Sequence, residues 1–375
     1  MTQPLLGARL SIIGSRGYPS TYGGFETLVR HLAPSLVAAG AHVSVYGRFH
    51  DARRRERHPN GVWSVHTRGI DGSSSSTLTH GLTASVHCAW DRTDAALVLN
   101  VANGFYLPLL RAARVPTAVN VDGLEWLRPK WGPVAKGAFK VGAALTARFA
   151  DTVISDAEAI RTYWATTYER ESVFIPYGAD VLPPLGSDRL RDVGVEPGEY
   201  VLAVARLVPE NNVDLLLDAA EKLNWKFPVV VVGDLSGMSP LESRLRMLEA
   251  STDQLHWLGH VSDQDLLNQL WQNCALYVHG HSVGGTNPAL VQALGAGAPT
   301  IALDTTYNRE VLGPEGVTFE RSSESLAALI EELFDDTERQ VQLATSGRAV
   351  VEKNYGWSGV LTAYEHTFAD LLHRS

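Results

Sequence analysis

Short apolar runs alternate with stretches of helical periodicity along the first half of the chain. An amphipathic pattern predicts a helix at 25–40, closed by Gly40. Strands are predicted at 9–13, 42–47, 96–101, 117–123, 152–156 and 172–178. Alternating strands and helices are typical of a parallel sheet covered on both faces, so this half is predicted to be a doubly wound α/β domain. Stretches 53–57 and 71–76 lack an apolar period and are predicted to be solvated loops.

The alternation restarts after a segment rich in proline, glycine and charge at 180–200. Helices are predicted there at 213–223 and 288–297, and strands at 200–206, 228–234, 255–261, 274–280 and 299–304. The pattern therefore predicts three parts, which are a first doubly wound domain at 1–182, a second at 183–356, and a final amphipathic helix at 357–375 that packs back toward the first domain.

Composition indicates a globular protein, because 45% of the 375 residues are hydrophobic and 19% are charged. The net charge of −9 argues against a nucleic-acid partner. The charge is uneven, however, since residues 1–182 hold 19 Lys and Arg against 14 Asp and Glu, and the rest hold 13 against 27. Either the basic first half meets an anionic partner, or its surface charge has drifted without function.

The cysteine usage and the lack of a recognisable targeting signal favour an intracellular protein. Cys88 and Cys274 are far apart in apolar surroundings, which predicts buried free thiols in a reducing compartment. No Cys–His spacing suggests zinc, no signal-like amino terminus is present, and no apolar run approaches the ~18 residues of a membrane span. We therefore expect a cytoplasmic protein.

The segment GSRGYPSTYGGFET, 14–27, lies between a predicted strand and a predicted helix. Backbone N–H groups of such a loop, together with the helix amino terminus, bind anions. The segment lacks the G-x-G-x-x-G spacing of dinucleotide-binding oxidoreductases and the G-K-[ST] of P-loop ATPases. The remaining alternatives are an anion-binding loop and a purely structural turn.

The segment VNVDGLEWLRPKW, 119–131, follows an apolar strand. Its carboxylates, Asp122 and Glu125, come after the carboxyl end of that strand, where open α/β sheets bind ligands. Trp126 and Trp131 alternate with cationic residues, and aromatic faces beside polar groups pack against sugar rings. The alternative is an anchor that packs on its own domain.

Two segments of the second half also follow strands. In VARLVPENN, 204–212, Arg206 is placed to meet a pyrophosphate in a cleft between the domains, or it is a surface arginine paired with Glu210. In GGTNPALVQALGAG, 284–297, a glycine pair opens a helix, as either a phosphate cradle or a tight turn.

Together, GGFET at 23–27, RLVPENN at 206–212 and GGTNPALVQALGAGAPTIALD at 284–304 resemble the retaining family-4 glycosyltransferases over most of the chain. VNVDGLEWLRPKW and HSVGGTNP resemble, more narrowly, a bacterial rhamnosyltransferase branch that builds cell-surface polysaccharide. The resemblance implies the GT-B fold, in which two Rossmann-like domains face each other across a cleft. It implies an acceptor-binding first domain and a nucleotide-sugar-binding second domain. The implied reaction transfers a hexosyl group, L-rhamnose from dTDP-L-rhamnose, with retention onto a glycan or polyprenyl-linked acceptor.

By position, the resemblance implies catalytic roles for Asp122 and Arg206. Donor binding is implied for Gly23, Gly24, Arg206, Asn211, Gly285, Thr286, Asn287 and Gln292. Acceptor binding is assigned to Tyr22, Phe25, Glu125 and Trp126.

The sequence departs from the family pattern at three positions. Relatives often carry a lysine where this chain has Asn211, and glutamates where it has Gly284 and Gln292. Gly284 agrees with the rhamnosyltransferase branch. Replacing a charge-assisted hydrogen bond by a neutral one at Gln292 costs about 1 kcal/mol, or about fivefold in donor affinity, so we expect an active enzyme.

The resemblance, and the absence of a D-x-D-type metal pair at a suitable strand end, predict metal-independent chemistry with no cofactor. Two alternatives remain open, which are an enzyme that uses a UDP- or GDP-hexose and a sugar-nucleotide-binding protein without catalysis. The stretch 128–149 combines basic and aromatic residues, so it is either a peripheral contact with the anionic inner face of the plasma membrane or an ordinary amphipathic helix.

Overall fold

The computed structural model describes residues 4–19, 23–48, 55–70, 75–234 and 240–373. The chain forms two compact units, the first made of residues 1–177 with 357–375 and the second of residues 178–356. Cys88 and Cys274 are buried free thiols in different units. None of the helices in these described ranges is both long and apolar enough to cross a lipid bilayer.

The described residues of the first unit form an eight-stranded sheet in the order β3-β4-β2-β1-β5-β6-β7-β8. Its strands are β1 Arg9–Ile13, β2 His42–Arg48, β3 Arg55–Arg57, β4 Trp63–Thr67, β5 Ala95–Leu99, β6 Thr117–Asn120, β7 Thr152–Ser155 and β8 Val173–Phe174. Only β3 at the edge runs antiparallel to its neighbour. Strand β5 is buried at every position, as expected for a parallel strand covered on both faces.

The helices of the first unit surround this sheet. They are α1 Gly24–Ala38, α2 Ser75–Trp90, α3 Leu107–Ala112, α4 Pro133–Phe149, α5 Glu158–Tyr168 and α13 Trp357–His373, with short 3-10 helices at Val101–Tyr106 and Glu125–Leu127. The buried side chains Leu28, Leu32 and Leu36 recur every four residues and so line one face of α1. Tyr364 and Phe368 of α13 belong to the same core cluster. The carboxyl-terminal helix therefore completes the core of the first unit.

The described residues of the second unit form a six-stranded, wholly parallel sheet in the order β11-β10-β9-β12-β13-β14. Its strands are β9 Val201–Val204, β10 Val229–Val232, β11 Leu255–Gly259, β12 Leu276–His279, β13 Thr300–Leu303 and β14 Val317–Phe319. The long helices are α6 Val213–Lys222, α7 Pro240–Glu249, α8 Gln264–Asn273, α9 Pro288–Ala296, α10 Thr306–Leu312, α11 Ser323–Leu333 and α12 Thr337–Val350. Short helical segments lie at Asp188–Val193, Pro209–Asn211 and Val351–Tyr355.

The solvated-loop predictions at 53–57 and 71–76 are wrong where the structure describes them. Arg55–Arg57 form β3, paired with β4, and α2 begins at Ser75. Residues 53, 54 and 71–74 lie outside the described residues. Strand β3 is exposed at every position, and charged residues are common on edge strands because they discourage pairing with other chains. An exposed edge strand has no apolar period, which explains why the pattern missed it.

Candidate functional site

Two loops of the second unit are hydrogen-bonded to each other at the carboxyl ends of the central strands. The first, residues 205–212, follows β9, and the second, residues 280–287, follows β12; we call them the strand-end loops. The Asn212 side-chain amide donates to the Gly280 carbonyl oxygen at 2.7 Å. The backbone N–H and the hydroxyl of Ser282 both donate to the Glu210 carbonyl oxygen at 2.9 Å. These bonds join the RLVPENN and GGTN segments into one surface.

The path of the second strand-end loop depends on close backbone packing. A Cβ atom at Gly280 would lie 2.5 Å from the Asn211 carbonyl oxygen, so only glycine permits the two loops to approach this closely. Behind the loop, the Asn308 amide donates to the carbonyl oxygens of His281 and Leu303. The loop that leads to GGTN is therefore held from two sides before it reaches its helix.

Helix α9 begins directly after the GGTN segment. The Asn287 side chain caps it by accepting a hydrogen bond from the Ala289 N–H at 3.0 Å, and Pro288 occupies the first helical position. Gly285 and Thr286 are buried, whereas Asn287 and Gln292 are half-buried. A helix amino terminus carries a partial positive charge, so this end of α9 is suited to an anionic group.

Arg206 and Asn211 lie in the same strand-end loop but differ in exposure. The Arg206 side chain is exposed, and its carbonyl oxygen accepts a hydrogen bond from the Asn211 amide at 2.8 Å. Asn211 is buried, with 3% of its surface exposed. Asn211 thus stabilises the loop and supplies no charge.

Two histidines at the end of β12 were not identified from the sequence. The rings of His279 and His281 stack with centroids 4.3 Å apart, and His279 Nδ1 lies 3.1 Å from the Tyr277 hydroxyl. Burial lowers the pKa of His279 to about 3. His279 is therefore neutral near pH 7, and this ring adds no positive charge beneath the second strand-end loop.

The glycine-rich segment of the first unit brings a carboxylate to the start of α1. Gly23 has φ +128° and precedes the helix, a backbone conformation that favours glycine. Glu26 is buried in the first turn and accepts a hydrogen bond from the Arg16 N–H at 3.0 Å. Glu26 was not predicted as a site residue from the sequence, although a glutamate in the first turn after a glycine-rich loop is a helix-start signal. Tyr22 lies outside the described residues.

Asp122 and Glu26 both act electrostatically on the buried ring of Tyr177. The φ of Asp122 is +56°, and its N–H donates to the Asn120 side chain at 3.0 Å. Burial raises the pKa of Tyr177 well above its ordinary value, and the negative charges of Asp122, Asp156 and Glu26 raise it further. Phe25 packs on the same ring, with centroids 6.4 Å apart. Tyr177 therefore interacts both with Asp122 and with the start of α1.

Glu125 and Trp126 both contact neighbouring side chains of the first unit. The Glu125 carboxylate accepts hydrogen bonds from Arg128 Nε at 2.6 Å and from Trp131 Nε1 at 3.1 Å. The Trp126 ring is buried beside Tyr163, with centroids 5.9 Å apart. These contacts agree with the alternative that the segment packs on its own domain. Acceptor binding by the two residues stays a prediction.

The predicted site residues fall into two groups, one in each unit. Arg206, Asn211, Gly285, Thr286, Asn287 and Gln292 belong to the second unit, whereas Gly23, Gly24, Phe25, Asp122, Glu125 and Trp126 belong to the first. Within the described ranges, no group of three or more His, Cys, Asp or Glu side chains is arranged to hold a metal ion.

Comparison with known proteins identifies two regions of the chain. Residues 190–350 match the family model described as glycosyl transferases group 1, and residues 114–180 match a domain of unknown function, DUF1972. The chain is 26% identical over 194 residues to the serotype-specific mannosyltransferase WbdA of Escherichia coli, covering 50% of this chain and 23% of the relative. It is 30% identical over 202 residues to a GDP-mannose-dependent monoacylated alpha-(1-6)-phosphatidylinositol monomannoside mannosyltransferase of Corynebacterium glutamicum, covering 49% of this chain and 52% of the relative. The alignments thus span about a quarter and about half of these relatives.

Solved structures resemble the chain over nearly its whole length. Sucrose-phosphate synthase of Thermosynechococcus elongatus superposes with a TM-score of 0.83 at 18% identity, covering 98% of this chain and all of that one. HepE of Anabaena in complex with UDP gives a TM-score of 0.74 at 18% identity, covering 97% of this chain and all of that one. At this identity the likeness shows the fold, which is GT-B, as predicted. The comparisons therefore show the GT-B fold, and residues 190–350 match the glycosyl transferases group 1 model.

Proposed function

We propose that this chain transfers a sugar from a nucleotide diphosphate sugar that binds to the second unit. The main support is the pair of strand-end loops, which join an exposed arginine to the capped amino terminus of α9. A guanidinium and a helix amino terminus each bind phosphate oxygens, and both features lie within the region that matches glycosyl transferases group 1.

In this proposal, the bond between the anomeric carbon and the diphosphate oxygen breaks while the acceptor oxygen bonds to the same face of the sugar. The acceptor proton passes to the leaving phosphate oxygen. Arg206 and the N–H groups around Gly285, Thr286 and Asn287 stabilise the charge that develops on the diphosphate. Gln292 bonds the ribose, and Asp122 positions the sugar. The transfer proceeds with retention and without a metal ion.

The proposed donor is dTDP-L-rhamnose, and this part of the proposal comes from the HSVGGTNP and VNVDGLEWLRPKW segments alone. Relatives give reasons to test other donors. The Corynebacterium enzyme is named as GDP-mannose-dependent, and HepE was solved with UDP. A UDP- or GDP-hexose is therefore the alternative donor, and a sugar-nucleotide-binding protein without catalysis is the alternative function.

A ligand screen on the full chain separates these donors. A nucleotide sugar present at 100 times its dissociation constant is expected to raise the free energy of unfolding by about 2.7 kcal/mol. We expect this shift with dTDP-L-rhamnose and a smaller one with UDP-glucose and GDP-mannose, measured by thermal unfolding. A shift with UDP-glucose or GDP-mannose alone contradicts the rhamnose assignment.

The same screen tests the function itself. If none of the three nucleotide sugars raises the unfolding temperature, donor binding by the second unit is excluded. A nucleotide sugar that binds is then tested for slow release of free nucleoside diphosphate. Its release supports a transferase, whereas tight binding without release supports the binding protein.

We also propose that α4 of the first unit contacts an anionic membrane where a lipid-linked acceptor is presented. Val134 is 88% exposed, and Val141, Lys140 and Arg148 are exposed as well. Exposed apolar side chains beside cations are typical of helices that lie on anionic lipid surfaces.

Flotation with vesicles tests this contact. The protein is expected to float with phosphatidylserine vesicles at low salt and to stay in solution with phosphatidylcholine vesicles. Each basic residue near the surface contributes about 1 kcal/mol, so Lys140→Gln is expected to weaken binding about fivefold. Lys226→Gln in the second unit is the matched control. Equal binding by the two variants, or none by the unchanged protein, contradicts the proposal.

A further inference from the structure

The proposed diphosphate site has fewer charges in its loops than the family pattern predicts. Asn211 is buried and its amide donates to the Arg206 carbonyl oxygen, so no cation extends from this position. His279 is buried and neutral. The strand-end loops therefore contribute one cationic side chain, Arg206, to the proposed diphosphate site. A nucleoside diphosphate carries more than one negative charge, so a second cation would strengthen its binding.

Arg321 is a cation fixed against these loops from a different strand. It lies just beyond the carboxyl end of β14, and its Nη2 donates to the Asn212 side-chain oxygen at 2.8 Å. The amide nitrogen of the same Asn212 side chain donates to the carbonyl oxygens of Gly280 and Glu210. One buried asparagine therefore connects the guanidinium of Arg321 to both strand-end loops.

The geometry of Arg321 leaves it able to bind an anion. Arg321 is an exposed residue. Its guanidinium has five N–H donors, and the hydrogen bond to Asn212 uses one of them. A guanidinium in a fixed orientation binds phosphate oxygens with little further loss of freedom. Glu320, the residue before Arg321, is also exposed, and its backbone N–H donates to the Ser325 hydroxyl oxygen.

Arg309 provides an internal comparison. It lies on α10, after β13, and its guanidinium makes a salt bridge with the Asp304 carboxylate. That carboxylate offsets the charge of Arg309. Arg321 is held by a neutral amide oxygen instead, so its positive charge is not offset by this partner.

We propose that Arg321 is the second diphosphate-binding cation, supplying from the segment after β14 the charge that Asn211 lacks. This inference rests on the proposed function, because it concerns the same donor site. Arg321 contributes to the affinity for the β-phosphate and not for the nucleoside.

Calorimetry on the full chain tests this role with dTDP, UDP and GDP, each beside its monophosphate. Arg321→Gln is expected to weaken binding of the diphosphate that binds best about tenfold and to change binding of its monophosphate less than about twofold. Arg321→Lys keeps the charge and is expected to recover part of the loss. Arg309→Gln, the matched control, is expected to leave both affinities unchanged.

Two results would overturn the inference while leaving the proposed function intact. One is diphosphate binding by Arg321→Gln within about twofold of the unchanged protein. The other is an equal loss for diphosphate and monophosphate, because that pattern reports a disturbed loop and not a missing charge. If the unchanged protein binds none of the six nucleotides, the proposed function fails and this inference fails with it.

Discussion

Replacing Arg206 with Ala is expected to lower the rate of donor turnover about 100- to 1,000-fold while leaving the fold intact. Removing one preformed group that stabilises developing negative charge in a transition state has effects of this size. The side chain is exposed, and the contact that Arg206 makes to Asn211 uses its backbone carbonyl, which alanine keeps. The measurement is kcat for release of nucleoside diphosphate, with thermal unfolding to verify the fold.

The matched control is Arg309→Ala. Arg309 also follows a strand of the second unit, but its charge is paired with Asp304. We expect this variant to retain turnover within about threefold of the unchanged protein, since an exposed ion pair contributes little. If Arg206→Ala and Arg309→Ala behave alike, the diphosphate does not bind at the strand-end loops.

Replacing Glu125 with Ala is expected to lower the free energy of unfolding of the first unit by about 3–5 kcal/mol. The Glu125 and Arg128 side chains are only 7% and 12% exposed, and they pair at 2.6 Å. The substitution removes the carboxylate that accepts from both the Arg128 guanidinium and the Trp131 N–H, at a position where the paired side chains are poorly solvated. Denaturant unfolding followed by tryptophan fluorescence measures the change.

The first unit contains a second Arg–Glu pair with the same spacing, which serves as the control. Glu158 and Arg161 pair at 3.2 Å with side chains 52% and 44% exposed. Glu158→Ala is expected to cost less than about 1 kcal/mol, because water screens exposed pairs. Equal costs for the two variants would show that burial of the Glu125 pair does not stabilise the segment. A stable Glu125→Ala variant that loses transfer would instead support the predicted acceptor role.

Most regular elements could be predicted because their signals are local. Strand β1 matches its predicted bounds, and α6 and α9 differ from theirs by one residue. Alternating apolar runs and the glycines that end helices depend on neighbouring residues alone. Strand β3 and helix α2 were missed, because exposed charged and serine-rich residues lack that periodicity.

The sequence located candidate site residues where they directly follow a strand or open a helix, as at Arg206 and Asn287. Arg321 was missed because β14 was not predicted, so nothing indicated that this arginine also follows a strand. Glu125 was singled out as a ligand group after a strand end, with a packed anchor as the alternative, and its carboxylate accepts from Arg128 and Trp131. Sequence shows which residues can carry chemistry, but their partners depend on side-chain packing.

The sequence by itself determined the order of most strands, the division into two α/β domains and the placement of glycines and charges at strand ends, because these are short-range patterns. Only the tertiary structure decided which strand ends are neighbours. Strand β9 lies between β10 and β12, so Glu210 and Ser282 meet although 72 residues separate them. The tertiary structure likewise brings Arg321 to Asn212, although 109 residues separate them. Strand order follows from burying both faces of a whole sheet, a long-range requirement that no single segment expresses.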